Sequence, residues 1–270
     1  MNSSIAFIGG GNMAGAIIRG LLRAGRPADS LLVVEPSVEQ RERLHAEHGL
    51  VAMSTADAAL AQAHVVVWAV KPQLFGEAAK PCSPFVGQAL QLSVMAGLRC
   101  DAIERASGSS RVVRAMPNTP ALIGAGVAGL FAAPGVTPEE RALVEQLLAP
   151  TGELMWLDHE ADLDTVTALS GSGPAYFFYF VEAMMAAGVE LGLTPAQARK
   201  LAFATCRGAA VQGLASDESP ALLRERVTSK GGTTHAAITS LDRDDVAAAM
   251  RRAVNAAHRR AQELGDEFSR

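Results

Sequence analysis

Up to about residue 160, short apolar runs alternate with stretches of helical composition. Ile5, Ala6, Phe7 and Ile8 form the first run and end on glycines. Further runs cover 31–34, 65–70 and 90–95, the last two closed by Lys71-Pro72 and Ala96-Gly97. Residues 112–113 and 127–131 predict two more strands. Between the runs, 13–22 (ending near Gly25) and the polar stretch 39–48 read as helices. Short apolar runs alternating with helices predict a parallel sheet covered on both faces.

Beyond about residue 160 the strand pattern stops. Gly173-Pro174 opens an apolar helix that closes near Gly192. Thr194-Pro195 and Ser219-Pro220 each place a capping hydroxyl before a proline suited to the first helical position. A glycine–threonine loop at 231–234 leads into another helix, and a last one runs from about 245 towards 264. The helix after Pro174 carries five consecutive aromatics, Tyr176 to Phe180, then Met184 and Met185, with Glu182 as its polar residue. Successive residues point about 100° apart, so five in a row face every side. Such a helix needs protein all around it, and a half-chain of about 110 residues is small for supplying that alone. A partner subunit is expected to complete the core, a self-contained helical core being the alternative.

Composition narrows the function. The chain is 49% hydrophobic and 19% charged, enough apolar matter for a sizeable core. Its net charge of −4, without a basic stripe, argues against a nucleic-acid partner. Cys82, Cys100 and Cys206 are far apart and form no Cys-x-x-Cys pair, so neither a disulfide framework nor a metal site is expected. Met1-Asn2-Ser3-Ser4 lacks the pattern of a signal peptide. The longest apolar stretch, 175–187, is broken by Glu182 and falls short of the roughly 20 residues that span a membrane. A cytoplasmic protein without membrane contact is expected.

Gly9, Gly10, Gly11, Asn12, Met13 and Ala14 fit G-x-G-x-x-A, directly after the first strand and at the start of a helix. In that context Gly9 allows the tight turn, Gly11 lets backbone approach a pyrophosphate, and Ala14 permits close helix–strand packing. The helix N-terminus offers free N–H groups to the phosphates. Glu35, at the end of the second strand, stands where dinucleotide folds place an acid for the adenosine ribose. The expected fold is α/β: a dinucleotide-binding Rossmann-type parallel-sheet domain over 1–161, then an all-α domain for substrate and dimerisation over 162–270.

Two further clusters stand out. Met116-Pro117-Asn118-Thr119-Pro120 is a rigid polar turn after a strand, and 228–234 reads TSKGGTT, a hydroxyl-rich glycine loop entering a helix. Such a loop presents N–H groups to a carboxylate, or it is a plain cap with Thr233 or Thr234 as the capping residue. At these residues the chain resembles the pyrroline-5-carboxylate reductase family. The resemblance rests on 220–242, on Gly171-Ser172-Gly173-Pro174-Ala175-Tyr176, on Val70-Lys71-Pro72-Gln73 and on the 116–120 turn, and runs from about residue 5 to 264.

The resemblance implies NADPH or NADH as hydride donor and reduction of Δ1-pyrroline-5-carboxylate to L-proline, the last step of proline biosynthesis. It implies a homodimer built on interlocking helices and assembled further, commonly to a decamer. Cofactor contacts are implied at Gly9 to Met13, at Ala69, Val70, Lys71 and Pro72, and at Val94, Met95 and Ala96. Glu218 and Arg226 are implied as further cofactor contacts near the subunit boundary. Substrate is implied at Gly232, Thr233 and Thr234, with Glu160 nearby and the Thr234 hydroxyl directed at the ring nitrogen. Ala56 and Glu35 depart from the asparagine and the small polar residue that many members carry, which leaves the choice between NADH and NADPH open. Two other readings compete. A β-hydroxyacid dehydrogenase would need a lysine on the helix after Gly173, where none occurs before Lys200. A nucleotide-binding protein without turnover is the other.

Overall fold

The computed structural model describes residues 4–268. Met1, Asn2 and Ser3, read above for a signal sequence, lie outside the described residues. The chain forms two compact units, residues 4–172 with 257–268 and residues 173–256. The first unit holds β1 (Ile5–Ile8), α1 (Asn12–Arg23), β2 (Leu31–Val34), α2 (Val38–His48), β3 (Val65–Trp68) and α3 (Phe75–Val86). It continues with β4 (Leu90–Ser93), α4 (Cys100–Ser107), β5 (Val112–Met116), β6 (Gly126–Ala132), α5 (Pro138–Leu148), β7 (Gly152–Trp156) and α6 (Asp162–Val166). A π-helical turn, Thr167–Gly171, leads to the second unit. There α7 (Gly173–Glu190), α8 (Pro195–Leu214), α9 (Pro220–Arg226) and α10 (Thr233–Arg243) precede α11 (Val246–Phe268), whose later turns belong to the first unit.

The strands form one sheet in the order β2-β1-β3-β4-β5-β6-β7. The first five are parallel, as the apolar runs predict. The sixth is a correction to that expectation: β6 pairs antiparallel with β5, and β7 parallel with β6. The connection over 117–125 is shorter than the dozen or so residues a parallel crossover requires, so the chain turns back. The sequence pattern also gives no sign of β7. Its residues alternate between half-buried and exposed, which leaves no apolar run. Gly152 opens it at φ +137°, and a Cβ there would stand 2.0 Å from the Gly126 carbonyl oxygen.

Alternate strand residues feed two cores. Ile5, Phe7, Val65, Val67, Leu90, Leu92 and Val113 pack with Ile17 and Ile18 of α1, Leu44 of α2 and Val144 and Leu147 of α5. Ala6, Ile8, Val66, Trp68 and Val112 pack on the opposite face with Phe75, Ala79, Cys82 and Val86 of α3 and Ile103 of α4. Buried Gln91 is fully occupied: its Oε1 accepts from Trp68 Nε1 (2.9 Å), and its Nε2 donates to the Val86 and Ala89 carbonyls (both 2.8 Å).

The helical unit is built differently. Thr194 and Ser219 cap α8 and α9 as their prolines predict, Thr194 within a reciprocal capping box with Gln197. Its helices bury little: Val181, Ala198 and Ala202 are its buried apolar side chains among the described residues. Phe177, Phe178, Tyr179 and Phe180 are 62%, 54%, 72% and 40% exposed in the single chain. The alternative of a self-contained helical core is thereby overturned. No helix among the described residues is long and apolar enough to cross a membrane.

Candidate active site

The turn after β1 has the geometry of a phosphate cradle. Gly9 takes φ +95°, and a Cβ on it would lie 2.7 Å from the Ala69 carbonyl oxygen and 2.9 Å from Val70 Cγ1. Only glycine lets the β1 and β3 ends approach this closely. Gly11, by contrast, faces open space, and as N-cap of α1 it supplies no capping side chain. The first-turn N–H groups of α1 are left for an anion, with the helix dipole aligned towards it. Since β1 lies between β2 and β3, the chain reverses direction across the sheet at this point, where open α/β sheets bind their ligands.

Three predicted segments meet along this edge. Ala69 to Pro72 follow β3, and Val94 to Ala96 follow the neighbouring β4. Lys71 is exposed, and Met95 is buried, its N–H donating to Ser93 Oγ (3.2 Å). Beside the glycine turn lies a cavity of about 330 Å³ lined by Gly9, Val34, Pro36, Ser54, Thr55, Ala56 and Val70 among others. Its size and largely apolar lining suit an adenosine. Glu35 stands at the cavity's edge, its two carboxylate oxygens accepting from the Gly10 and Ser37 N–H groups (both 2.8 Å). Arg41 donates to the Glu35 and Pro36 carbonyls (2.9 and 2.8 Å), which places a cation at the same turn. The residues present thus fit a dinucleotide.

Arg114, which sequence reasoning passed over, and Asn118, read from the sequence only as part of a rigid polar turn, organise the other end of this edge. Arg114, on β5, is 5% exposed. Its Nη1 donates to Glu160 Oε1 (2.8 Å), and the same oxygen accepts the Cys100 N–H at the start of α4 (2.7 Å). Glu160 is therefore engaged inside the protein. Asn118 is also buried: its Oδ1 accepts from the Val127 N–H (3.0 Å) and its Nδ2 donates to the Ser170 carbonyl (3.2 Å). Burial pushes the Asp164 carboxyl up, against the pull of Arg114, Arg99 and His258. The one sequence sign of Arg114 is a cation inside an apolar strand, which demands a buried partner without saying which.

In the helical unit, α10 begins at Thr233 with Gly232 as its N-cap, and no side chain caps it. The reading in which Thr233 or Thr234 caps the helix is corrected here: both lie inside its first turn. Gly231 takes φ +76°, which turns the loop so that Gly232 N–H bonds back to the Ser229 carbonyl (3.0 Å). Among the described residues neither threonine hydroxyl has a hydrogen-bond partner, so donors and hydroxyls converge at one uncapped helix start. Glu218, just before the N-cap of α9, and Arg226, its last residue, form an ion pair with each other. α7 carries no lysine, which removes the base that a β-hydroxyacid dehydrogenase would need.

The chain matches two family models: pyrroline-5-carboxylate reductase dimerisation over residues 160–264, and NADP oxidoreductase, coenzyme F420-dependent, over residues 4–97. It is 43% identical to the pyrroline-5-carboxylate reductase of Pseudomonas aeruginosa, over 98% of this chain and 97% of that one. The solved pyrroline-5-carboxylate reductase of Coxiella burnetii superposes with a TM-score of 0.90 at 36% identity, covering 98% of this chain and 99% of that one. The Plasmodium falciparum pyrroline carboxylate reductase, solved with NADP bound, gives 0.88 at 28% identity, covering 98% of each chain. With the glycine cradle, the uncapped threonine loop and near-complete coverage in agreement, this chain belongs to the pyrroline-5-carboxylate reductase family.

Proposed function

We propose that this protein reduces Δ1-pyrroline-5-carboxylate to L-proline with NADPH or NADH, completing proline biosynthesis in the cytoplasm. The observation that carries the reading is full-length membership of the reductase family, joined to a glycine cradle whose geometry fits a dinucleotide.

The Gly9–Met13 turn holds the pyrophosphate with the first-turn N–H groups of α1, the Gly9 and Gly10 N–H groups being bonded to the Val34 carbonyl and the Glu35 carboxylate, and Glu35 takes the adenosine ribose. Ala69 to Pro72 and Val94 to Ala96 support the nicotinamide end, with Glu218 and Arg226 as further contacts at the subunit boundary. The reduced nicotinamide, when bound, supplies the hydride. The chain's own task is placement, because a protonated C=N bond needs little activation beyond a correctly oriented donor. Gly232, Thr233 and Thr234 direct their N–H groups at the substrate carboxylate, as free helix-start donors do for anions. The Thr234 hydroxyl hydrogen-bonds and orients the ring nitrogen, and orders a water that delivers the proton, since a threonine is itself a poor acid. Glu160 lies beside the substrate, oriented by Arg114. Residues 1–161 serve mainly the dinucleotide and 162–270 mainly substrate and association, with Glu160 on one side and Glu218 and Arg226 on the other as the exceptions. Subunits pair through α7 and α8, and the dimers assemble further, as in a decamer.

The test is oxidation of NADH and of NADPH in the presence of pyrroline-5-carboxylate, with proline identified as the product. Nucleotide binding without turnover of either cofactor would leave a nucleotide-binding protein and overturn the proposal.

A further inference from the structure

Arg114 is an unusual residue for its place. It sits in the middle of a sheet strand, flanked by buried Val113 and Ala115, and is 5% exposed. Its Nη1 reaches Glu160 Oε1, while its Nε is buried without a hydrogen-bond partner among the described residues. A buried ion pair gains little over apolar packing of similar volume, so stability alone does not account for it. What it gains is direction. The carboxylate it holds is also the cap of α4: Arg99, the N-cap residue, does not cap the helix with its side chain, and the Cys100 N–H donates instead to Glu160, far along the chain. One carboxylate thus joins β5, the start of α4 and the segment entering α6. The Val94–Leu98 turn lies directly between β4 and that capped helix start, with Gly97 at φ +76° and Met95 buried.

We propose that Arg114 is a positioning residue: through Glu160 it fixes the start of α4, and with it the turn after β4 that supports the reacting end of the cofactor. The inference rests on the dinucleotide and substrate assignments above. Arg114 touches neither ligand. It sets the carboxylate's orientation, and the carboxylate sets the turn. Arg114→Met removes the pair at nearly constant bulk, and Arg114→Lys keeps the charge with a single donor group in place of a planar fork.

Hydrogen–deuterium exchange of the cofactor-free protein reads the positioning directly. In Arg114→Met the amides of 94–103 are expected to exchange about tenfold faster or more, those of the 9–18 turn and helix staying as in the wild type. In kinetics, kcat should fall by about tenfold or more while the nucleotide dissociation constant moves by less than about threefold, since the adenosine end is untouched. Arg114→Lys should recover part of both. If Arg114→Met does not fold, the lysine variant carries the test, with a smaller acceleration confined to 94–103. Unchanged exchange there, or equal acceleration through every strand, would reduce Arg114 to a structural residue and overturn the proposal. An inactive wild type with the localised exchange change intact would instead overturn the functional reading and leave the positioning role standing.

Discussion

At the end of α2 the His48 side chain is 5% exposed, and its Nε2 has no hydrogen-bond partner among the described residues. Burial holds its pKa below the ordinary imidazole value, more strongly than Glu47 raises it. The unfolded chain therefore binds a proton in a pH range where the fold does not, and stability drops as pH falls from about 6.5 through the lower folded value. The melting temperature is expected to decline over that interval, and His48→Asn should flatten the decline; an unchanged slope would assign the pH response elsewhere. Glu35 makes the second prediction. A carboxylate near a 2′-phosphate repels it by roughly 1–4 kcal/mol at about 4 Å. NADH should be preferred over NADPH, by up to about tenfold to a thousandfold, and Glu35→Ser should narrow the gap. The contacts of Glu35 to Gly10 and Ser37, with Arg41 at the same turn, bound the size of the preference, and a wild type favouring NADPH would refute it. Third, Thr234→Ala should lower kcat by roughly a hundredfold with little change in cofactor affinity, and Thr234→Ser should restore most of it; full turnover in the alanine variant would leave the hydroxyl without a role. At this scale the sequence was partly legible. The glycine turn declares itself because only glycine satisfies its backbone. Arg114 and Asn118 do not, because what they do depends on Glu160, Val127 and Ser170, and no local pattern brings those partners to them.

Among the elements, fully buried strands were the most legible. β1 to β3 are apolar runs because helices cover both faces, β4 interrupts its run with buried Gln91 and Ser93, and glycine or proline follows each strand within a few residues. β7 escaped notice because it is half-exposed and alternating, and the reversal at β6 because direction is set by the length of the 117–125 connection rather than by composition. The junction of these two strands is also where the backbone is least forgiving. Gly152 holds φ +137° against the Gly126 carbonyl. Gly152→Ala combines a disfavoured backbone with a direct clash and should cost about 2–5 kcal/mol. Urea unfolding would measure it, and an unchanged midpoint would mean that β7 shifts freely along the edge of the sheet.

At the scale of the whole molecule, the two units are stabilised by different means. The sheet unit has two cores of its own; the helical unit leaves Phe177 to Phe180 outward, and the chain is a homo-oligomer through its dimerisation region. Association and folding of the helices are then one event, so thermal stability should rise with protein concentration. Phe177→Asp or Phe180→Asp should abolish soluble protein, because a charge placed in an apolar interface has no partner there. Light scattering showing a fully active wild-type monomer at high dilution would contradict this. The aromatic helix also has a genetic consequence. In a two-fold interface the same patch occurs on both sides, so one substitution on α7 is met twice. A cell carrying one sound and one altered copy of the gene would build mixed pairs, and the altered chain would disable sound partners. Mutations in the sheet unit should behave as recessive, whereas those on α7 that still permit pairing should be dominant.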